Sequence, residues 1–417
     1  MELTFLGGAR EVGRSSVLVE TDARLLLDYG IKIHADTAYP MPHQGEIDAA
    51  VITHAHLDHS GYVPELYDND EPMWLGTPPT RTLCEILIPD CARILQRERG
   101  GLPYRHGSIK QAFENFEPVG YGQGKSIRST RINFHEAGHI TGSAIVEIQH
   151  KKTKIVYTGD FKMSQTRMHE AARPIKEAHA LIMESTYFDR EHPTRDEIES
   201  DLCQRAREVL ENKGNLLLPA FAVGRTQELI RVFRAHMRDV PIYVDGMGWE
   251  ASKAVAKHTN YIRNPKLFRK DLESVRHIKS RQEREKALKE PCIMIASAGM
   301  LQGGPALSYL LMLNAREHFD RSKIVFTGYC VEGTNGHNLL NKGFVDVGGE
   351  QLKVKVPYEY LDLSAHAGRE ELFSFVAKSA PEKIFCMHGD KPEEFAEELK
   401  LEGFDAIAPK IGERFEI

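Results

Sequence analysis

The chain has 417 residues, more than one ordinary hydrophobic core takes up, so one domain plus a second, or one domain interrupted by another, is expected. Its 41% hydrophobic and 27% charged residues exclude a disordered chain, and no apolar run approaches the ~20 residues of a membrane-spanning helix. A net charge of −6 gives no global attraction for a polyanion, although local patches and metal ions override such a mean.

The opening "MELTFLGGAR" has a strand pattern and lacks the basic and apolar regions of a signal peptide. "GAREVGRS", Gly8 to Ser15, comes near the phosphate-binding pattern GxxxxGK[ST], with Arg14 where that pattern has lysine. The alternating "SSVLVETD" that follows reads as a strand and not as a helix, which favours a hairpin turn. A recurring unit then runs along the chain, an apolar run followed by a polar or glycine-rich loop. It is seen in "RLLLDYG", "AAVITH", "KIVYTGD", "ALIMEST" and "KIFCMHGD". Runs of this kind suit strands buried on both faces. Asp28, His54, Asp160, Glu184 and His388 all stand at the C-terminal ends of such runs, where α/β sheets place active sites.

From about residue 190 to 360 the style changes to strand, glycine-rich loop, helix. The three units are "NLLLPAFAVGRTQELIRVFRAH", "CIMIASAGMLQGGPALSYLLML" and "KIVFTGYCVEGTNGHNLL". They read as an open parallel sheet with helices. The strand-end His and Asp residues resume only afterwards, with His366 and His388, so an inserted domain is expected, with limits 1–188, 189–360 and 361–417. Residues 261 to 290 carry ten Lys/Arg against five Asp/Glu, either a solvated helix face or a substrate-facing patch. Six scattered cysteines form no CxxC pair and read as buried, reduced thiols of a cytoplasmic protein.

The densest chemistry lies in "VITHAHLDHSGYVPEL". His54 and His56 alternate by two and point the same way in an extended loop; Asp58 and His59 follow a bend. These groups exceed what one closed tetrahedral zinc needs. With His139 of "INFHEAGHITGS", Asp160 and His388, the donors suffice for two ions. Nitrogen and carboxylate donors without thiolate suit Zn²⁺ ahead of Mn²⁺ or Fe²⁺. Desolvated imidazoles crowded into one turn without a partner would be costly. "MEST" and "DLSAH" are not nucleophile elbows of the GxSxG type.

These stretches carry a resemblance. "THAHLDH", Asp28 in "LLLDYG", "AGHITGS" with His139 and "YTGD" with Asp160 resemble the four motifs of the metallo-β-lactamase superfamily. "LIMEST" with Glu184, "DLSAHAG" with His366 and "MHGD" with His388 resemble the three further motifs of the β-CASP nucleases. In order and spacing the set is similar to that of archaeal and bacterial homologues of the endonuclease subunit of the cleavage and polyadenylation specificity factor. No KH-type GxxG segment precedes the first strand, unlike in longer archaeal members.

The resemblance implies an α/β fold, a metallo-β-lactamase αββα sandwich with an inserted parallel α/β β-CASP domain. It implies two Zn²⁺ per chain, one on His54, His56 and His139 and one on Asp58, His59 and His388, with Asp160 bridging them. Asp28 would fix a histidine tautomer from outside. The expected chemistry is hydrolysis of RNA phosphodiester bonds by water activated at the metal pair. Asp58 and Asp160 would orient the water, with Asp58 able to take its proton, and His366 would act as general acid held by Glu184. A 5′-phosphate and a 3′-hydroxyl are the expected products. The His388 motif is similar to that of the RNA-processing branch and points to single-stranded RNA, by endonuclease or 5′→3′ exonuclease action; the family also favours a homodimer. A DNA nuclease, a small-molecule thioester or lactone hydrolase, and an inactive scaffold subunit are the alternatives. The inserted domain argues against a small substrate, and the intact motif set argues against the scaffold.

Glycine lets backbone N–H groups approach a phosphate, and helix N-termini favour anions. The loops "AFAVGRTQ", "ASAGMLQGG" and "TGYCVEGTNG" are therefore expected to line one side of a cleft facing the zincs, with Arg225, Ser297, Gly299, Met300 and Ser364 touching RNA. The alternative is that these glycines only make tight turns.

Overall fold

The computed structural model describes residues 1–33 and 37–417, apart from the side chains of 98 and 99. It divides into two compact units. The first comprises Met1–Gln165, His169–Glu191 and Ala365–Ile417; the second comprises Thr166–Met168 and His192–Ser364.

The first unit holds two seven-stranded sheets. One runs in the order Arg414–Glu416, Glu2–Gly7, Ser16–Glu20, Arg24–Leu27, Ala49–Val51, Met73–Gly76 and Phe116–Pro118. The other runs Ala406–Ile407, Lys383–Met387, Ala180–Glu184, Thr153–Tyr157, Ala144–His150, Thr130–Glu136 and Gly124–Ile127. Side chains alternate along a strand, so Leu25 and Leu27 enter the core between the sheets, where Phe5, Val17, Phe134, Val146, Ile182 and Phe385 meet. Helices pack on the opposite faces. Leu372 and Phe375 of Arg369–Ser379 and Phe395 of Pro392–Leu401 pack with Val156, Leu181 and Ile384. On the other side, the Trp74 indole N–H donates to the Ala112 carbonyl of the helix His106–Glu114. The result is a helix–sheet–sheet–helix sandwich. The loop Gly8–Ser15 joins the antiparallel strands Glu2–Gly7 and Ser16–Glu20 and opens no helix.

The second unit is built on a six-stranded sheet in the order Arg276–Ile278, Ile242–Asp245, Cys292–Ala296, Asn215–Pro219, Lys323–Phe326 and Tyr358–Tyr360. Every pairing in it is parallel. Apolar clusters cover both faces, which is why Asn215–Pro219 and Cys292–Ala296 are buried throughout. Residues 361–364, assigned from sequence to the last segment, belong to this unit because Leu361 and Leu363 enter its core. The basic stretch contains the helices Pro265–Glu273 and Arg281–Ala287 and, between them, the edge strand Arg276–Ile278. Charge on an edge strand discourages pairing with another chain. No helix among the described residues is long and apolar enough to cross a membrane. All six cysteines are buried and unpaired.

Candidate metal centre

The site forms on the first unit, where strands of both sheets end. After Ala49–Val51 the chain runs extended through His54, and His56 caps the one-turn helix Leu57–Ser60. That segment is tied down by its backbone: Ser15 N–H donates to Asp58 O, Tyr29 N–H to His59 O and Ile31 N–H to Leu57 O, each at 2.8 Å. The approach is close enough that a Cβ on Gly30 would lie 1.7 Å from the Asp58 carbonyl oxygen. Asp28 (φ 55°) and His388 (φ 48°) both adopt the left-handed region. Non-glycine residues seldom do so, and such strain concentrates at functional sites.

Two donor groups result. His54, His56, His139 and Asp160 form one; Asp58, His59 and His388 form the other, with the donor atoms of each group within 4.8 Å of one another. His56 Nδ1 lies 3.2 Å from His54 Nε2 and 3.1 Å from His139 Nε2. Asp160 reaches both groups with different oxygens. Oδ2 is 3.5 Å from His54 Nε2 and 3.6 Å from His139 Nε2, while Oδ1 is 3.3 Å from His59 Nε2 and 3.6 Å from His388 Nε2. Asp58 Oδ2 lies 3.7 Å from His388 Nε2 and 3.9 Å from His59 Nε2.

The outer ring nitrogens fix the tautomers. His139 Nδ1 is 3.0 Å from the Ala365 carbonyl, which can only accept, so Nδ1 carries the proton and Nε2 presents a lone pair. His59 Nδ1 donates to Asp28 Oδ2 at 2.7 Å, with the same consequence. Asp28 is held in turn by Thr53 N–H at 2.7 Å, by the Thr53 hydroxyl at 2.8 Å and by the Tyr157 hydroxyl at 2.8 Å. Thr53 Oγ1 stands 3.0 Å from His54 Nδ1, and Ser15 Oγ 2.8 Å from His388 Nδ1. Ring nitrogens of His54, His56, His59, His139 and His388 therefore converge on the Asp160 carboxylate. His59 Nε2 and Asp160 Oδ1 are buried atoms without a hydrogen-bond partner. Such an arrangement is costly unless a cation fills it, so these residues fit a metal.

The electrostatics differs among the imidazoles. Burial holds His54, His56 and His139 below the usual imidazole range, the neutral state that metal ligation needs. Burial opposes a charge on His59 too, but the Asp160 and Asp28 carboxylates outweigh it and hold its pKa well above that range.

A third set of donors close enough to hold a cation, Asp160, Glu184 and His366, lies beside these two. His366 Nδ1 is 2.9 Å from Glu184 Oε2 and 3.9 Å from Asp160 Oδ2. Glu184 is buried, and its other oxygen accepts from Phe161 N–H at 2.8 Å. Burial disfavours the His366 imidazolium, yet Glu184 and then Asp160 raise its pKa to about 9. Buried Lys162 pins the same loop, its Nζ 2.9 Å from the His366 carbonyl and 2.9 Å from Glu371 Oε2.

Sequence reasoning missed Ser15, Thr53, Tyr157 and Lys162. Thr53 had a signal, since it precedes the first histidine, and Ser15 closes the loop read only as a turn. The remaining candidates lie in the second unit. Arg225, Ser297, Gly299 and Met300 follow the strands Asn215–Pro219 and Cys292–Ala296, and Ser364 is the unit's last residue. An Arg225 N–H donates to the Leu363 carbonyl, and Ser297 Oγ is buried without a partner. The Met300 carbonyl is taken by Gly336 N–H at 2.8 Å.

Fold and site together define a metallo-hydrolase. Three family models match: the metallo-beta-lactamase superfamily domain over residues 17–186, the Beta-Casp domain over 226–339 and the Zn-dependent metallo-hydrolase RNA specificity domain over 351–409. The relatives include Probable RNase MJ4 of Methanocaldococcus jannaschii, 34% identical over 100% of both chains. RNase aCSPSF2 of Saccharolobus solfataricus is 33% identical over 100% of this chain and 85% of its own. Transcription termination factor FttA of Methanocaldococcus jannaschii is 35% identical over 94% of this chain and 67% of its own. A crystal structure of a protein of unknown function from Enterococcus faecalis shares the fold, with a TM-score of 0.59 at 15% identity over 99% of each chain. The chain belongs to the metallo-β-lactamase/β-CASP family.

Proposed function

We propose that this chain is a zinc-dependent ribonuclease that hydrolyses single-stranded RNA, with two Zn²⁺ per chain. The observation that carries this reading is the pair of donor groups sharing Asp160, with the Glu184–His366 pair beside them. His54, His56 and His139 would hold one ion, Asp58, His59 and His388 the other, and Asp160 both. The match to an RNA specificity domain and the relatives named as ribonucleases support RNA as substrate.

When bound, the ions supply positive charge against the phosphate and lower the pKa of water. Asp58, more exposed than Asp160, orients that water and takes its proton. Asp28, Thr53, Ser15 and the Ala365 carbonyl keep the ligand imidazoles turned inward. His366 enters protonated, held by Glu184, and gives its proton to the leaving oxygen. Arg225, Ser297, the backbone of Gly299 and Met300, and Ser364 contact the RNA backbone. No protein nucleophile and no ribose 2′-hydroxyl are needed.

Incubating 5′-labelled and 3′-labelled single-stranded RNA, with a matched DNA, tests this. RNA fragments ending in a 5′-phosphate and a 3′-hydroxyl are expected. Cleavage of the DNA alone would transfer the reading to a DNA nuclease, and cleavage of neither would end it. The relatives named transcription termination factor FttA favour a second reading of the same chemistry, in which the RNA is a nascent transcript.

A further inference from the structure

We propose that Phe221 is a stacking platform for one nucleobase of single-stranded RNA; the proposal rests on the ribonuclease reading and names a contact within it. Phe221 is 36% exposed, in the loop between the strand Asn215–Pro219 and the helix Arg225–His236.

Hydrogen bonds fix the backbone of this loop. Ala220 N–H donates to the Ala296 carbonyl at 2.9 Å. The Phe221 carbonyl accepts twice from Thr226, from its N–H at 3.2 Å and its hydroxyl at 2.8 Å. The Gln227 amide donates to the Ala222 carbonyl at 2.9 Å and accepts from Gly224 N–H at 2.7 Å. A ring fixed by its backbone loses little entropy when a base settles on it.

Two neighbours of the ring, Gly299 and Gly328, carry no side chain. A Cβ on Gly299 would sit 3.3 Å from Phe221 Cγ, and one on Gly328 would sit 3.4 Å from Cε2. The same point at Gly328 is 3.8 Å from both Nε and Nη2 of Arg225, so an aromatic face and a guanidinium border one spot. A flat apolar face beside a fixed cation matches a nucleotide, whose base stacks while its phosphate meets the charge. Base–aromatic stacking tolerates any sequence because every base has a π-face.

The test compares Phe221→Ala, Phe221→Leu and Phe221→Trp with the wild-type zinc-loaded protein on a short single-stranded RNA. Loss of one stack should raise KM about tenfold in the Ala and Leu variants, with kcat within about twofold. Trp should keep KM within about twofold. Leucine keeps the apolar volume but not the flat face, so it separates stacking from packing. Replacing nucleotides one at a time by abasic residues should reproduce the loss at one position in the wild type and add nothing further in Phe221→Ala. Wild-type-like KM in Phe221→Ala, or a Leu variant equal to wild type, overturns the platform and leaves the ribonuclease reading standing; the exposed ring would then suit a protein partner. A wild-type protein that neither binds nor cleaves the RNA overturns both.

Discussion

At the residue scale, the proposed roles divide the site into groups that would hold metal and groups that would move protons. His388 Nε2 faces Asp58 and Asp160, whereas His366 binds Glu184 and stands outside the two metal-type donor groups of the sandwich. His366→Ala should therefore retain both metals and lose most cleavage, by about 100-fold or more for a lost general acid. His388→Ala should lose one metal per chain. Elemental analysis of both variants beside a cleavage assay checks the separation; metal loss in His366→Ala would place that histidine among the ligands. His59 sets the pH behaviour of loading. Its pKa is raised by Asp160 and Asp28 against the effect of burial, so an entering cation must displace a proton there. Metal affinity should accordingly rise with pH through the neutral range and fall on acidification. Competition with a chromophoric chelator on either side of neutrality would measure this, and a flat profile would refute it.

At the scale of elements, the site depends on how closely two loops approach. Gly30→Ala would put a methyl group onto the Asp58 carbonyl, an overlap no rotamer relieves. A destabilisation of about 2 kcal/mol or more is expected, with weakened metal binding, readable by thermal unfolding and zinc content. In the second unit, Arg225→Ala should weaken RNA binding and reduce its salt dependence by about one phosphate contact, with zinc content unchanged. Titrations at several salt concentrations decide it; an unaltered slope would place the RNA elsewhere, for instance on the stretch Arg263–Lys289.

The same scale explains what could be read from sequence. Asp28, His54, Asp160, Glu184 and His388 stood out because apolar runs end just before them, and the structure brings them together at the ends of strands. His139 and His366 needed motif context, since neither closes a strand run. Ser15, Thr53 and Tyr157 stayed hidden because a hydroxyl acquires its role only from the group tertiary folding sets against it. Lys162 was hidden for the same reason, as the His366 carbonyl that accepts from it lies 204 positions along the chain. The edge strand Arg276–Ile278 was masked by its charge, which suits an edge but gives no strand pattern. Leu361 and Leu363 moved a domain limit because burial, not motif position, decides where a unit ends.

At the scale of the whole molecule, a net charge of −6 must be reconciled with a polyanionic substrate. On the proposed reading, two divalent ions held by the His and Asp groups, and Arg225 in a glycine-rich loop, would supply attraction locally where the mean charge supplies none. Catalysis on this reading requires the metal. Elemental analysis of the full chain purified without chelator, paired with cleavage of single-stranded RNA before and after chelation, tests this most directly. About two zinc ions per chain are predicted, with cleavage lost on their removal and recovered on their return. Metal content near zero with cleavage retained would contradict it.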